Sequence, residues 1–268
     1  AIVLRERRRG KGYVVQSMFR EIEADVYVMV DGDDTYPAGC VHDLLEPVLS
    51  DSADMAVGVR LSAPGTQMSL SHRLGNRFFL GLVNLFLRTR LSDLLSGFRV
   101  MNRRLVKCLP VFVGGFEIET ELTIKAVQRG YRIVELPTPL KPRAEGSQSK
   151  IRTIHDGLRI LTAILALIRD YKPLTVFGGV GIVLCCLGGV GGALLLAADA
   201  DLGRPGAVLT AVFAAGAVAA GFLSFGIGVM LHTINHRVAE LEYLLSIRER
   251  LGEKQEMNHE SAKQRKPE

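Results

Sequence analysis

Three carboxylates, Asp31, Asp33 and Asp34, follow directly on the apolar run Val26 to Val30 and precede the turn signal Tyr36-Pro37. Acids this close repel one another unless a cation stands between them, and hard oxygen donors suit Mg²⁺ or Mn²⁺. Such an ion keeps part of its coordination for substrate phosphates, so the acidic turn as a whole is a candidate metal and phosphate site. A solvated acidic turn is the plain alternative. Two cations extend the pattern. Lys11 lies between Gly10 and Gly12, where the bare backbone lets an anion come close and a helix N-terminus follows at once, although the full spacing of a P-loop is missing. Arg60 closes the apolar stretch Met55 to Val59 and points toward the same crevice.

The elements that must position these residues follow from periodicity. Val26 to Val30 reads as a buried parallel strand with both faces covered by helices, and ligands of open α/β sheets bind beyond the carboxyl ends of such strands. Val14, Val15, Met18, Phe19 and Ile22 mark a helix after Lys11. Val41, Leu44, Leu45, Val48 and Leu49 mark a second, and a third runs from His72 to Arg88 with Leu74, Phe78, Leu82, Leu85 and Phe86 on its apolar face. A short strand ends at Asn102. Glu117, Glu119 and Glu121 open a further helix, where acids suit the helix dipole. Tyr131 to Leu136 reads as the next strand, and Lys141 to Lys150 as a loop with Arg143, Ser147, Ser149 and Lys150.

Composition then separates a soluble part from a membrane part. The 268 residues have a mean hydropathy of +0.21 and 48% hydrophobic content, with the excess after residue 173. Leu174 to Ala198 and Gly206 to Leu231 carry no charge, and each is long enough to cross about 30 Å of hydrocarbon. Basic residues flank the pair and the connector holds one Arg, which places both termini and the catalytic part in the cytoplasm of a multi-pass plasma or inner-membrane protein. Ahead of these spans, Ile151, Ile154, Leu158, Leu161, Leu165 and Ile168 share one helical face beside Arg152, His155 and Arg159, the pattern of a helix lying in the headgroup layer. Gly188 and Gly192 form a small-xxx-small pair able to seat one helix on another, within a chain or between copies in a homo-oligomer. The charged tail after Leu251 is expected to be unstructured. A net charge of +5 and a pI near 9.1 would suit nucleic acid, but Trp is absent and aromatics make up only 6%, so base stacking is excluded. Cysteines at 40, 108, 185 and 186 lack metal spacing and read as reduced thiols.

The order of Gly10-Lys11-Gly12, Asp31-Gly32-Asp33-Asp34, Asp93 to Phe98, Phe116 to Glu121, Tyr131 to Pro137 and Gly146 to Lys150 resembles glycosyltransferase family 2 on the GT-A fold, in its polyprenol-linked branch. The resemblance implies a partial GT-A domain over residues 1–150, Rossmann-like with a mostly parallel sheet. It also implies a juxtamembrane helix over 151–172, two transmembrane helices over 173–232 and a cytoplasmic tail over 233–268. It implies inverting transfer from a nucleotide-sugar donor to an acceptor such as a polyprenyl phosphate, with Asp31 and Asp33 as the carboxylates for Mg²⁺ or Mn²⁺ and Asp31 also toward the sugar-nucleotide. Arg60 and Arg77 then face phosphates, Ser96, Gly97 and Asp93 line the sugar site, and Arg143, Ser149 and Lys150 close over the acceptor phosphate. If the acceptor is a hydroxyl, Asp93 or Glu121 is the candidate base. Asp34 and Thr35 depart from the family's usual residues. The family's opening half-domain, with its nucleotide-base pocket, has no counterpart, so the chain is expected to be a fragment that completes no reaction by itself.

Two readings from other classes stand beside this one. Asp31-x-Asp33-x-Thr35 after a strand also fits the nucleophile motif of haloacid-dehalogenase-type phosphatases, which need a later Lys and paired acids after another strand. A non-catalytic membrane subunit would rest on the two apolar helices alone.

Overall fold

A computed structural model describes residues 3–61, 70–141, 153–197 and 205–264. The chain forms two compact units, residues 1–168 and 169–268. In the first, α1 (Lys11–Glu21) leads to β1 (Val26–Met29), α2 (Val41–Leu49), β2 (Met55–Leu61) and α3 (Leu70–Leu87). Then come β3 (Arg99–Asn102), α4 (Arg103–Cys108), α5 (Ile118–Gln128), β4 (Ile133–Pro139) and α6 (Thr153–Tyr171), the last turn of which passes into the second unit.

The sheet corrects the expectation of a mostly parallel arrangement. Its order is β1-β3-β2-β4, and only β2 and β4 are parallel. β3 runs back between β1 and β2, antiparallel to both, with Met29 opposite Arg99 and Ala56 opposite Val100. β1 is therefore an edge strand among the described residues. Its burial alternates, Tyr27 at 8% exposure and Val28 at 43%. An apolar run reports affinity for a sheet; which neighbours cover it is decided by the chain that inserts beside it. Residues 3 and 4 form no strand.

Period-two alternation sorts the core onto the two faces of the sheet. Met55, Val57 and Met101 join Val15, Leu105, Ile118 and Leu122 from α1, α4 and α5. Ala56 and Val100 join Tyr36, Phe98, Leu44 and Val48, the last two from α2. α1 is preceded at its N-cap by Gly10, whose φ of 141° a side chain rarely adopts. The Gly12 N–H donates to Gly114 O at 3.0 Å, and a Cβ on either Gly10 or Gly12 would collide with the backbone of Val113 and Gly114. The glycines around Lys11 thus dock a helix end against a loop.

Two helices turn their apolar residues differently from expectation. α3 buries Val83 and Leu87, leaving Leu74, Phe78 and Leu85 exposed. α6 buries Ile160, Ile164, Leu167 and Ile168, while Leu158 and Leu165 form an exposed apolar stripe. Each therefore has one face for the protein and one left over, which a single-stripe reading merges.

In the second unit, α7 (Pro173–Ala197) and α8 (Pro205–Gln264) are long and apolar enough to cross a membrane, with 18-residue stretches inside Pro173–Ala197 and Gly206–Leu241 reaching mean hydropathies of 2.4 and 2.1. Their apolar windows are only 11% and 6% buried, unlike core helices. Small residues bring them together: a Cβ on Gly181 would approach Gly221 O, and one on Gly188 would meet Ala214 O and Val218. Ser224 Oγ donates across to Phe177 O at 2.7 Å. Gly192, the expected partner of Gly188, faces open space; Gly181, one heptad back, takes that place. Beyond Leu251, α8 continues to Gln264 where unstructured chain was expected, because Glu, Lys, Gln and Met are good helix formers even without an apolar face.

Candidate active site

β1 ends at Met29, and Asp31 follows on the turn that leaves the sheet. Opposite it, the first residue of α1 supplies Lys11, whose Nζ donates to Asp31 Oδ1 at 2.5 Å. The same ammonium also contacts Glu119 Oε1 on the first turn of α5. Side-chain exposure falls along this chain of charges, from 35% for Asp31 through 20% for Lys11 to 4% for Glu119. Burial pushes the Glu119 carboxyl up, with Lys11 pulling the other way. Burial draws Lys11 down, but the Glu119 and Asp31 carboxylates outweigh it and the ammonium is held above its ordinary range.

The Asp31 carboxylate lies over Gly97, where any Cβ would collide with its oxygens. Gly97 is a glycine because the carboxylate needs that space. Its N–H donates to Tyr36 Oη at 3.1 Å, and Ser96 Oγ donates to Gly58 O at 2.5 Å. Burial raises the Tyr36 phenol. Arg99, fully buried, fixes the rest of this loop: it donates to Ser96 O at 2.9 Å, Leu94 O at 3.1 Å and Thr123 Oγ1 of α5 at 2.7 Å.

Arg60, near the carboxyl end of β2, meets Asp93 as a fork. Nε reaches Oδ2 at 2.6 Å and Nη2 reaches Oδ1 at 2.7 Å, while the Leu95 N–H adds a bond to Oδ1 at 3.0 Å. Burial draws Arg60 down, yet Asp93 more than compensates and its pKa is raised. Both Asp93 oxygens are thus engaged. Glu121 is engaged elsewhere: it accepts from Phe112 N at 2.9 Å and Val113 N at 3.0 Å, and pairs with Lys125 at 2.7 Å. At 2% exposure it clamps the loop on which α1 rests.

Asp33 Oδ1 accepts from Thr35 Oγ1 at 2.6 Å. Asp34 takes a left-handed φ of 55° and pairs with Lys141 at 3.1 Å. Arg77 is exposed on α3. Arg143, Ser149 and Lys150 lie outside the described residues. Among the described residues no three acidic, His or Cys side chains converge as a metal-binding group. Asp31 and Asp33 nonetheless fit a divalent ion in kind, as hard oxygen donors two residues apart, and the Lys11 ammonium resting on Asp31 shows a position complementary to positive charge.

The structure therefore brings Lys11, Asp31, Ser96, Gly97, Asp93 and Arg60 around one end of the sheet, where Tyr36 bonds to Ser96 and Gly97. Glu119, Arg99 and Tyr36 were missed. Acids in a first helical turn have a sufficient explanation in the dipole, which hid Glu119. The available signal was that Glu119 and Glu121 alternate with Ile118, Thr120, Leu122 and Ile124 in a helix buried almost throughout.

The sequence profile described as "Glycosyl transferase family 2" matches residues 1–109. An uncharacterized protein of Shigella flexneri is 35% identical over 157 residues, covering 59% of this chain and 96% of its own length. The dolichyl-phosphate hexose transferase of Haloferax volcanii is 28% identical, with 62% of this chain and 71% of its own length covered. Glycosyltransferase AglJ of the same organism is 32% identical over 64% of this chain, which spans 57% of that relative. Among solved structures, glucosyl-3-phosphoglycerate synthase from Mycobacterium tuberculosis in complex with Mn²⁺, uridine-diphosphate-glucose and phosphoglyceric acid aligns with a TM-score of 0.50 at 21% identity, covering 60% of this chain and 55% of that one. That likeness is one of fold.

Proposed function

Because the chain belongs to glycosyltransferase family 2, we propose that it serves a membrane-bound transferase moving a hexose from a nucleotide-sugar to a polyprenyl phosphate. The observation that carries this reading is Asp31 poised over the bare backbone of Gly97 with Lys11 and Arg60 close by, in a chain that also has two membrane-length helices. The hexose and the lipid phosphate are drawn from the similarity to dolichyl-phosphate hexose transferase. The catalytic unit is assigned to the cytoplasmic side from the flanking basic residues.

Asp31 and Asp33 would hold Mg²⁺ or Mn²⁺, which when bound neutralises charge on the departing diphosphate. The chain's own residues do the rest. Lys11 presents a mobile cation to the donor phosphates, and Arg60 presents one held rigid by Asp93. Positive charge fixed where negative charge develops lowers the barrier without reorganisation. Gly97 lets the sugar approach the backbone beside Asp31, and Ser96, tied to Gly58 O, keeps that loop in place. Arg77, Arg143, Ser149 and Lys150 are assigned to the acceptor phosphate. A phosphate monoester is already ionised near pH 7, so no strong base is required. The engagement of Asp93 by Arg60, and of Glu121 by two backbone N–H groups and Lys125, agrees with this, and we assign both to positioning. The anomeric centre inverts in a single displacement.

The test is transfer of radiolabelled sugar from UDP- and GDP-hexoses in membranes containing the full-length protein, with and without added polyprenyl phosphate. Label is expected in an acid-labile, organic-extractable product that grows with the added lipid phosphate. Label arising only in water-soluble products would overturn the reading.

A further inference from the structure

We propose that Lys11, held by the positioning residue Glu119, is a built-in cation that a divalent metal must displace from Asp31, so that the metal binds together with the anionic donor and only weakly without it. The inference rests on the reading of Asp31 as a metal ligand.

Three observations carry it. First, Lys11 cannot retreat as a whole. Gly10 and Gly12 are docked on the backbone of Val113 and Gly114, and Glu121 holds that loop through Phe112 N and Val113 N. Only the flexible four-carbon stem and its ammonium can move, and an ammonium is a point charge with three donors that can be shared between acceptors. Second, the two carboxylates it touches are unequal. Glu119 is 4% exposed, and stripping the partner from a buried charge is strongly unfavourable. Asp31 is 35% exposed, so water or an incoming ion can take over its oxygen. The ammonium is tied on one side and releasable on the other. Third, no described acid other than Glu119 and Asp31 pairs with Lys11. A divalent ion arriving alone would thus stand beside a retained positive charge. A diphosphate arriving with it supplies the negative charge that both cations need.

Electron paramagnetic resonance titration of Mn²⁺ into the full-length protein in detergent reads this without turnover. In the absence of nucleotide, Lys11→Met should bind Mn²⁺ on the order of tenfold more tightly than wild type, the scale of removing a unit charge beside a partly exposed ion. Glu119→Gln should act in the opposite sense, because the ammonium then rests on Asp31 alone, and Glu119→Asp should restore the wild-type value. Uridine diphosphate or guanosine diphosphate should tighten Mn²⁺ more in wild type than in Lys11→Met. The neutral double variant Lys11→Met/Glu119→Gln must show the same gain as Lys11→Met, which guards against a fold disturbed by the unpaired Glu119. Unchanged or weaker Mn²⁺ binding in both Lys11 variants, or tighter binding in Glu119→Gln, would overturn the inference. Asp31→Asn separates the two readings. If it abolishes Mn²⁺ binding while the Lys11 variants show no gain, only this inference falls. If it leaves Mn²⁺ binding intact, or if Mn²⁺ binds no variant, Asp31 is not a metal ligand and both readings fall.

Discussion

Arg60 with Asp93, and Lys11 with Asp31 and Glu119, are both acid–base contacts at the same end of one sheet, yet they are built to opposite purposes. In the first, a planar fork engages both oxygens of a carboxylate that is 5% exposed, so Asp93 is closed while the guanidinium is held rigid with N–H groups to spare. In the second, a single ammonium is divided between a buried acid and one that is a third exposed. A closed pair fixes a loop; a shared cation leaves an oxygen that can change partners. Burial alone does not separate a carboxylate closed by its partner from one free to change partners. The number of unshared lone pairs and the solvent access of each partner do.

The sharpest way to break this comparison is to open the closed pair. Asp93→Ala leaves Arg60, whose side chain is 18% exposed, without its partner and should cost about 3 kcal/mol of stability, while Arg60→Leu/Asp93→Leu should recover most of it. Denaturant unfolding of the detergent-solubilised protein measures both. Asp31→Ala, at its more exposed position, should cost no more than about 1 kcal/mol. Equal losses at Asp31 and Asp93 would erase the distinction. In activity the order inverts. Asp31→Asn should lower transfer to lipid by about 10²-fold or more, as expected when a preorganised charge at the reacting centre is removed. That is read as initial rate at saturating donor, with folding checked by circular dichroism.

Glu121 extends the comparison, since it too is closed. Glu121→Gln exchanges an acceptor of two backbone N–H groups for an amide and should cost about 1–3 kcal/mol. The rate per folded molecule should stay within a few-fold of wild type, and a loss as large as that of Asp31→Asn would make Glu121 a base after all. The smallest effect is at Asp54. Burial pushes its carboxyl up, but Arg132, with bonds from side chain and backbone and a further one from Asn102, pulls it below the ordinary 3.8. A depressed folded-state pKa stabilises above the unfolded value and is lost as pH falls through the folded one. The thermal midpoint of wild type should therefore fall more steeply than that of Asp54→Asn below about pH 4, the range of the unfolded carboxyl. Parallel curves would show that the Arg132 contact contributes nothing.

The kinds and order of the parts are written locally along the chain. Alternation and helical periodicity marked the strands and helices, because side-chain hydrophobicity repeats with the backbone's own period. The charge-free stretches after residue 173 declared themselves as membrane-length helices for the same local reason. The acids after β1, the glycines beside Lys11 and Arg60 at the end of β2 stood out by type and spacing. Which residues meet is set by how distant segments close on one another. β3 enters between β1 and β2 through hydrogen bonds across more than forty residues, and nothing local to Val26–Met29 records that it becomes an edge. Glu119 becomes Lys11's partner, and Glu121 does not, because alternate residues of a helical turn point in different directions while α1 docks on only one of them. Gly97 owes its identity to a carboxylate from another strand's end. Side-chain type is a local property that the chain carries with it; solvent access and charge partnership arise only when distant segments close around the same few atoms.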